Sequence, residues 1–216
     1  MDIEDLINKL PNNDLFIDME EYYKSAVLIP LIDIDGEINI LFEKRAENIR
    51  QGGEVCFPGG GIDIGENSKE TVIRELFEEL GIESKDITLI REFEKIINPM
   101  ARVYVETWFG KITISGYQNI KINSSEVSKI FLVPLKYFIE NKPEVYKVAT
   151  MSTPFADENR EEPTFPAKQL GLPERYHKPW ARKTHNVYLW KNEEIIWGLT
   201  AKILKKFVDY LGEISV

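Results

Sequence analysis

Residues 60–82 read GGIDIGENSKETVIRELFEELGI, a glycine-rich start, an apolar-periodic middle and a closing glycine. Ser68 is the expected N-cap, Val72, Ile73, Leu76 and Leu80 recur at helical spacing, and Gly81 is the expected C-cap, which predicts a helix of about three turns. On such a helix positions i, i+3 and i+4 share a face, so Glu75, Glu78 and Glu79 project together. Unpaired, three adjacent carboxylates repel one another, and Arg74 answers only part of that charge. Hard oxygen ligands on a rigid element suit Mg2+ or Mn2+, which bridge carboxylates to phosphate oxygens. An isolated Glu-x-x-Glu-Glu is more often a solvated acidic face, so the surroundings must decide.

Working outward, Gly52-Gly53 and Pro58-Gly59-Gly60-Gly61 place a loop before the helix that brings backbone close to something. Upstream, Ser25–Ile32 and Ile38–Phe42 are rich in β-branched and large apolar residues and flank Asp35-Gly36, which predicts a hairpin. Downstream, Thr88–Phe93, Arg102–Phe109 and Lys129–Val133 read as strands. Residues 195–211 read as an amphipathic helix with Ile203, Leu204, Phe207 and Leu211 inward. Residues 1–10 are expected to form a short helix that stops at Pro11-Asn12-Asn13-Asp14. Residues 150–186, with prolines at 154, 163, 166, 173 and 179, are expected to be a long irregular insertion. With no repeat and no linker-like tract, one elaborated domain spanning 1–216 is the expectation.

Composition narrows the function classes. A net charge of −9 opposes broad binding to nucleic acid, which needs basic surface, and a phosphate-bearing small molecule requires local cations or metal ions. The single Cys56 excludes an internal disulfide and fits a reducing compartment, so a cytoplasmic location is expected. No basic leader and no span of bilayer length is read, so neither secretion nor membrane insertion is expected.

The spacing Gly60-x5-Glu66-x7-Arg74-Glu75-Leu76-x-Glu78-Glu79-x-Gly81-Ile82 matches the Nudix box at every fixed position, and the chain resembles Nudix hydrolases. That resemblance implies an α/β (α+β) fold, an α/β/α sandwich with a mixed β-sheet and a loop–helix–loop catalytic motif. It also implies hydrolysis of a diphosphate linkage with bound Mg2+ or Mn2+. By the same match Glu75, Glu78 and Glu79 are the metal-ligand candidates, joined by the Gly60 carbonyl. Arg74 would orient the carboxylates, and Glu66 and Gly81 would support the site. Glu75, Glu79 or a glutamate outside the box would serve as base, and Glu126, just before a predicted strand, is the external candidate beside an ordinary solvated-turn reading.

The box leaves the substrate open. Leu41-Phe-Glu-Lys-Arg45, Arg50 and Gly53-Glu-Val55-Cys-Phe57-Pro58-Gly59-Gly60 resemble the coenzyme A diphosphatase subgroup, as does Ile196-Trp197-Gly198-Leu199-Thr200-Ala201. The chain departs from that pattern where Gln51-Gly52-Gly53 replaces a longer stretch with a histidine, and where Ala46 replaces the usual serine. The subgroup implies cleavage of coenzyme A or its thioesters to 3′,5′-ADP and 4′-phosphopantetheine or its acyl form. Lys44, Arg45 and Arg50 would then meet the extra phosphate, unless they are surface charge and a loop-holding ion pair. Phe57 and Trp197 are candidates to stack on adenine, with buried packing the commoner fate of such rings. Cys56 reads as a small buried side chain, and His177 and His185 as surface residues without metal-ligand spacing. Other readings are a Nudix hydrolase of ADP-ribose, NADH or a nucleoside triphosphate, and a catalytically silent nucleotide-binding module. The partner expected is a small nucleotide rather than nucleic acid or membrane, and the resemblance is compatible with a homodimer.

Overall fold

A computed structural model describes residues 18–155 and 163–213, so the helix expected over 1–10 lies outside the described residues. The chain divides into two compact units, Met1–Tyr137 and Phe138–Val216.

In the first unit the long strands β1 (Tyr23–Ile34) and β2 (Glu37–Arg45) form the expected hairpin. Asp35 and Gly36 both adopt positive φ at its turn, where the Gly36 N–H donates to Asp33 Oδ1 at 2.9 Å. Two short strands follow, β3 (Val55–Cys56) on β2 and β4 (Gly59–Gly61) on β1. The box helix α1 (Ser68–Leu80) comes next, then β5 (Ile87–Asn98), β6 (Val103–Ile112), α2 (Ile114–Gln118) and β7 (Val127–Pro134). Pairing of β1 with β6 is parallel and every other pairing in this seven-stranded sheet is antiparallel, which makes the sheet mixed. The three strands expected downstream are all present and each is longer than the apolar run that announced it.

One apolar cluster joins α1 to the sheet. Val72, Leu76 and Leu80 on the helix pack with Ala26, Leu28 and Ile32 of β1, Leu41 of β2 and Ile112 of β6. Leu76 is fully buried, and truncating such a leucine costs about 2–5 kcal/mol. Gly81 ends the helix in the left-handed region at φ 67°, its N–H bonded to the carbonyls of Leu76 and Phe77. The N-cap corrects the expectation: Asn67, not Ser68, accepts from the Lys69 and Glu70 N–H groups, and Glu70 returns a bond to the Asn67 N–H. Ser68 is turned sideways, donating to Glu106 at 2.8 Å and accepting from Trp108 Nε1 at 3.1 Å, so its hydroxyl is spent on the sheet.

The second unit holds α3 (Leu135–Glu140, which begins just before the division), β8 (Glu144–Ser152), β9 (Trp180–Lys191), β10 (Ile195–Trp197) and α4 (Gly198–Glu213). The three strands form an antiparallel sheet in the order β10-β9-β8. The expected insertion over 150–186 is therefore too long at both ends, since Thr150–Ser152 belongs to β8 and Trp180–Asn186 to β9. Arg182, Lys183, Thr184, His185 and Asn186 are all exposed, so neither face of that half of β9 carries the apolar alternation by which a strand is read. Helix α4 also starts later than expected, because Ile195–Trp197 pairs with β9 and Gly198 turns the chain at φ 65°. Within it Ile203, Leu204 and Phe207 are buried as expected, and Leu211 is half-buried.

Candidate active site

Along α1 the residues that do not face the sheet core form a charged face closed over by the preceding loop. Arg74 is its organiser. Its Nε and Nη2 make a two-pronged contact with Glu66 at 3.0 and 2.9 Å, Nη2 also donates to the Gly61 carbonyl at 2.9 Å, and Nη1 donates to Glu75 at 2.8 Å and Glu78 at 2.9 Å. Such fork-shaped pairing is the strong form of an ion pair and holds loop and helix together. Glu66 in addition accepts from Thr71 Oγ1 at 2.7 Å, and the Arg74 guanidinium with these bonds holds its carboxyl down at about 2. Glu78, the most exposed of the box glutamates, has Arg74 as its ion-pair partner.

Gly60 shows why this loop needs glycine. A Cβ there would stand 2.2 Å from Glu75 Oε1, so only a bare backbone lets β4 pass against that carboxylate. Glu75 is nearly buried, and burial raises its pKa against the pull of Arg74, with Glu78 and Glu126 pushing the same way. Glu126 is half-buried before β7, accepts from Asn123 Nδ2 at 3.4 Å, and its charge acts on Glu75.

The inner end of the face is built differently. Glu79 is 3% exposed, and its Oε2 accepts the Gly59 N–H at 3.0 Å. Beside it stands Glu43 from β2, fully buried, with Oε1 accepting the Cys56 thiol at 3.2 Å and Oε2 without a donor. Desolvation, and for Glu79 the charge of Glu43, drive both carboxyls well above the usual carboxylate range. Arg45 is the cation nearby, acting on Glu43, Glu79 and Cys56, while its Nε donates to the Arg50 carbonyl at 3.1 Å. Burial and Glu43 push the Cys56 thiol up, which makes it unreactive, although the residue is half-buried and not buried as expected.

These placements sort the candidate substrate contacts. Arg45 turns inward to the glutamates and ties down the loop, which is the loop-holding role weighed against a phosphate contact. Lys44 follows Glu43 in the strand and so belongs to the opposite face of β2, and the Arg50 side chain is exposed. Phe57 is a correction: it is 2% exposed and stacked on Phe42 at 5.2 Å, which leaves no ring face for a base. Trp197 departs from expectation in the other direction, at 44% exposed in the second unit. His185 is exposed and His177 half-buried with Nε2 on the Leu172 carbonyl, and among the described residues neither belongs to a group of three or more metal-ligating side chains.

Glu43 was missed by the sequence reading, although a signal existed. Alternation in β2 puts residues 41, 43 and 45 on one face, and Leu41 is plainly a core residue, so a glutamate two positions on had to be taken inward.

The donor set fits a hard divalent ion. All side-chain ligands on offer are carboxylate oxygens, Glu43 Oε2 is a buried acceptor without a donor, and the carboxylates at the site outnumber the two guanidinium groups beside them. With Arg74 lying between Glu75 and Glu78, no group of three or more His, Cys, Asp or Glu surrounds a common centre among the described residues.

Fold and site together define an α+β protein whose carboxylates sit on a loop–helix–loop crossing a mixed sheet. The profile of the NUDIX domain matches residues 22–150, and the chain belongs to the Nudix family. It is 37% identical over 117 residues to Nudix hydrolase 3 of Caenorhabditis elegans, a match covering 53% of this chain and 49% of that protein. To the peroxisomal coenzyme A diphosphatase NUDT7 of Mus musculus it is 28% identical over 132 residues, covering 57% and 51%. A Nudix hydrolase, NudL, of Yersinia pestis is 26% identical over 217 residues, covering 94% of this chain and 90% of that protein. The chain spans about half the length of the first two of these relatives.

Proposed function

We propose that the chain hydrolyses the diphosphate linkage of coenzyme A or its thioesters, releasing 3′,5′-ADP and 4′-phosphopantetheine or its acyl form, with Mg2+ or Mn2+ bound at the box glutamates. The observation that carries this reading is the convergence of Glu75, Glu78 and Glu79 on one helix face against the glycine loop, with Arg74 fixing both. The similarity to a coenzyme A diphosphatase supports the substrate.

Glu75, Glu78 and Glu79 would hold the ion, and the Gly60 carbonyl is positioned on the same loop. Held there, such an ion would neutralise the diphosphate and lower the pKa of an attacking water. With an ion bound, Glu75 and Glu78 would give up their Arg74 contacts for it, and the two-pronged Arg74–Glu66 pair would still hold the loop on the helix. Glu126, beside Glu75 and outside the box, is the candidate to take the proton from the attacking water. Among the described residues no helix is long and apolar enough to cross a membrane. The free thiol of Cys56 supports a reducing compartment, for which the cytoplasm is the proposal.

The inward turn of Arg45 favours a second reading, a Nudix hydrolase acting on a diphosphate without the additional phosphate, such as ADP-ribose or NADH. Incubating the purified protein with coenzyme A and metal, then with ADP-ribose, NADH and nucleoside triphosphates, separates the two by mass spectrometry of the products. Formation of 3′,5′-ADP from coenzyme A supports the first. Turnover of another member of the panel with none of coenzyme A replaces it by the second. A metal-dependent melting shift without any product would leave a silent binding module.

A further inference from the structure

Glu43 is not part of the box, comes from a strand and not from the helix, and nothing in the proposed chemistry uses it, yet it is the most deeply buried acid beside the site. Its Oε1 is taken by the Cys56 thiol and its Oε2 faces no donor. The ionisable groups that act on it are Arg45, Glu75 and Glu79, the last pinned through Oε2 to the Gly59 N–H and within hydrogen-bonding reach of Glu43. A buried acid that merely packed would be expected to have its own donors, because an unpaired buried carboxylate is costly to a fold. Here the cost is placed beside a box glutamate, where a divalent ion would offset it.

We propose that Glu43 is a positioning residue of the cation site: it stands behind Glu79, confines that carboxylate to the orientation set by the Gly59 N–H, and adds its field to the attraction for the ion. The inference rests on the divalent-cation reading of the site. Its physical content is a coupling. Glu43 makes the metal-free protein less stable and makes the ion bind more tightly, because two acids are buried side by side at a cost that a bound cation would offset. Groups that stand behind a metal ligand and orient it commonly alter affinity by about 10–100-fold when replaced.

The test uses Glu43→Gln, which keeps shape and removes charge, and Cys56→Ala, which removes the thiol donor and keeps the charge. Mn2+ binding is followed by calorimetry on the full chain, and the melting temperature is read with and without Mn2+. For Glu43→Gln the expected result is a metal-free melting temperature no lower than that of the wild type, a smaller metal-induced rise, and an Mn2+ Kd weakened about tenfold. Cys56→Ala is expected to bind Mn2+ within about twofold of the wild type, the charge of Glu43 being intact. The proposal is overturned if Glu43→Gln binds Mn2+ like the wild type. Parallel loss of metal-free stability and affinity in Glu43→Gln, or equal weakening in both variants, also overturns it, since strand packing alone would then be at work. If the wild type itself binds no Mn2+, the divalent-ion function falls with it. Wild-type binding matched by Glu43→Gln removes only the role of Glu43.

Discussion

Around Glu66 the site has more donors than it needs, and around Glu79 it has fewer. Glu66 takes two bonds from Arg74 and one from Thr71, and its carboxyl is held far below the ordinary range. Glu79 has a single backbone N–H, sits against a second buried acid and is pushed the other way. Both are glutamates of the same box, one in the loop and one in the last turn of the helix. The difference teaches that two glutamates of one box sit in opposite surroundings: one in a satisfied ionic clasp that holds the loop on the helix, the other buried against a second acid supplied by β2.

The largest expected effect lies on the side of the buried pair. Glu79→Gln should lower turnover of the best diphosphate substrate roughly 10²–10⁴-fold, with metal-free stability not reduced, because the amide keeps an oxygen for the Gly59 N–H and removes an acid that burial penalises. Steady-state kinetics beside a melting curve checks both halves, and loss of stability in that variant would mean that Glu79 is a structural acid. On the clasp side, Arg74→Ala should do the reverse and lower the unfolding free energy by about 2–4 kcal/mol, by leaving Glu66 and Glu75 without their shared cation. Urea denaturation measures it, and a loss below about 0.5 kcal/mol would show that water already screens these pairs.

The two sides should also separate by pH. Glu66 has its native pKa below the unfolded value, so its contribution is full above about 4.5 and is lost as pH falls through about 2. After solvent screening that contribution is about 1–2 kcal/mol. Glu43 and Glu79 are raised, so the native state holds protons that the unfolded chain has released. Their contribution therefore declines as pH rises from the ordinary carboxylate range through neutrality. Metal-free melting temperatures across pH should fall at both ends, and Glu66→Gln should flatten the acid limb alone. The smallest effect belongs to the helix start, where Asn67→Ala should cost about 1 kcal/mol in chemical denaturation and Ser68→Ala should not show that capping loss.

Elements whose pattern is local were legible. The hairpin at Asp35-Gly36, the helix ended by Gly81 and the five long strands of the first unit's sheet all follow from turn residues and periodicity that neighbours in sequence enforce. The outer half of β9 was illegible because exposed polar residues on both faces leave no period to read, and its strand state depends on the ladder with β8. The N-cap was misplaced by one residue because Asn67 and Ser68 can both cap, and the hydroxyl of Ser68 was claimed by Glu106 and Trp108 from a distant strand.

The site divides along the same line. The sequence by itself determined that Glu75, Glu78 and Glu79 share a face and that glycine precedes them, since helical geometry and backbone sterics act over a few residues. Only the tertiary structure decided that Glu66 closes onto Arg74, that Arg45 turns inward, that Phe57 enters the core, and that Glu43 arrives behind Glu79. Those outcomes depend on which strand is laid beside which helix, and burial sets the charge state of an acid only once that has happened.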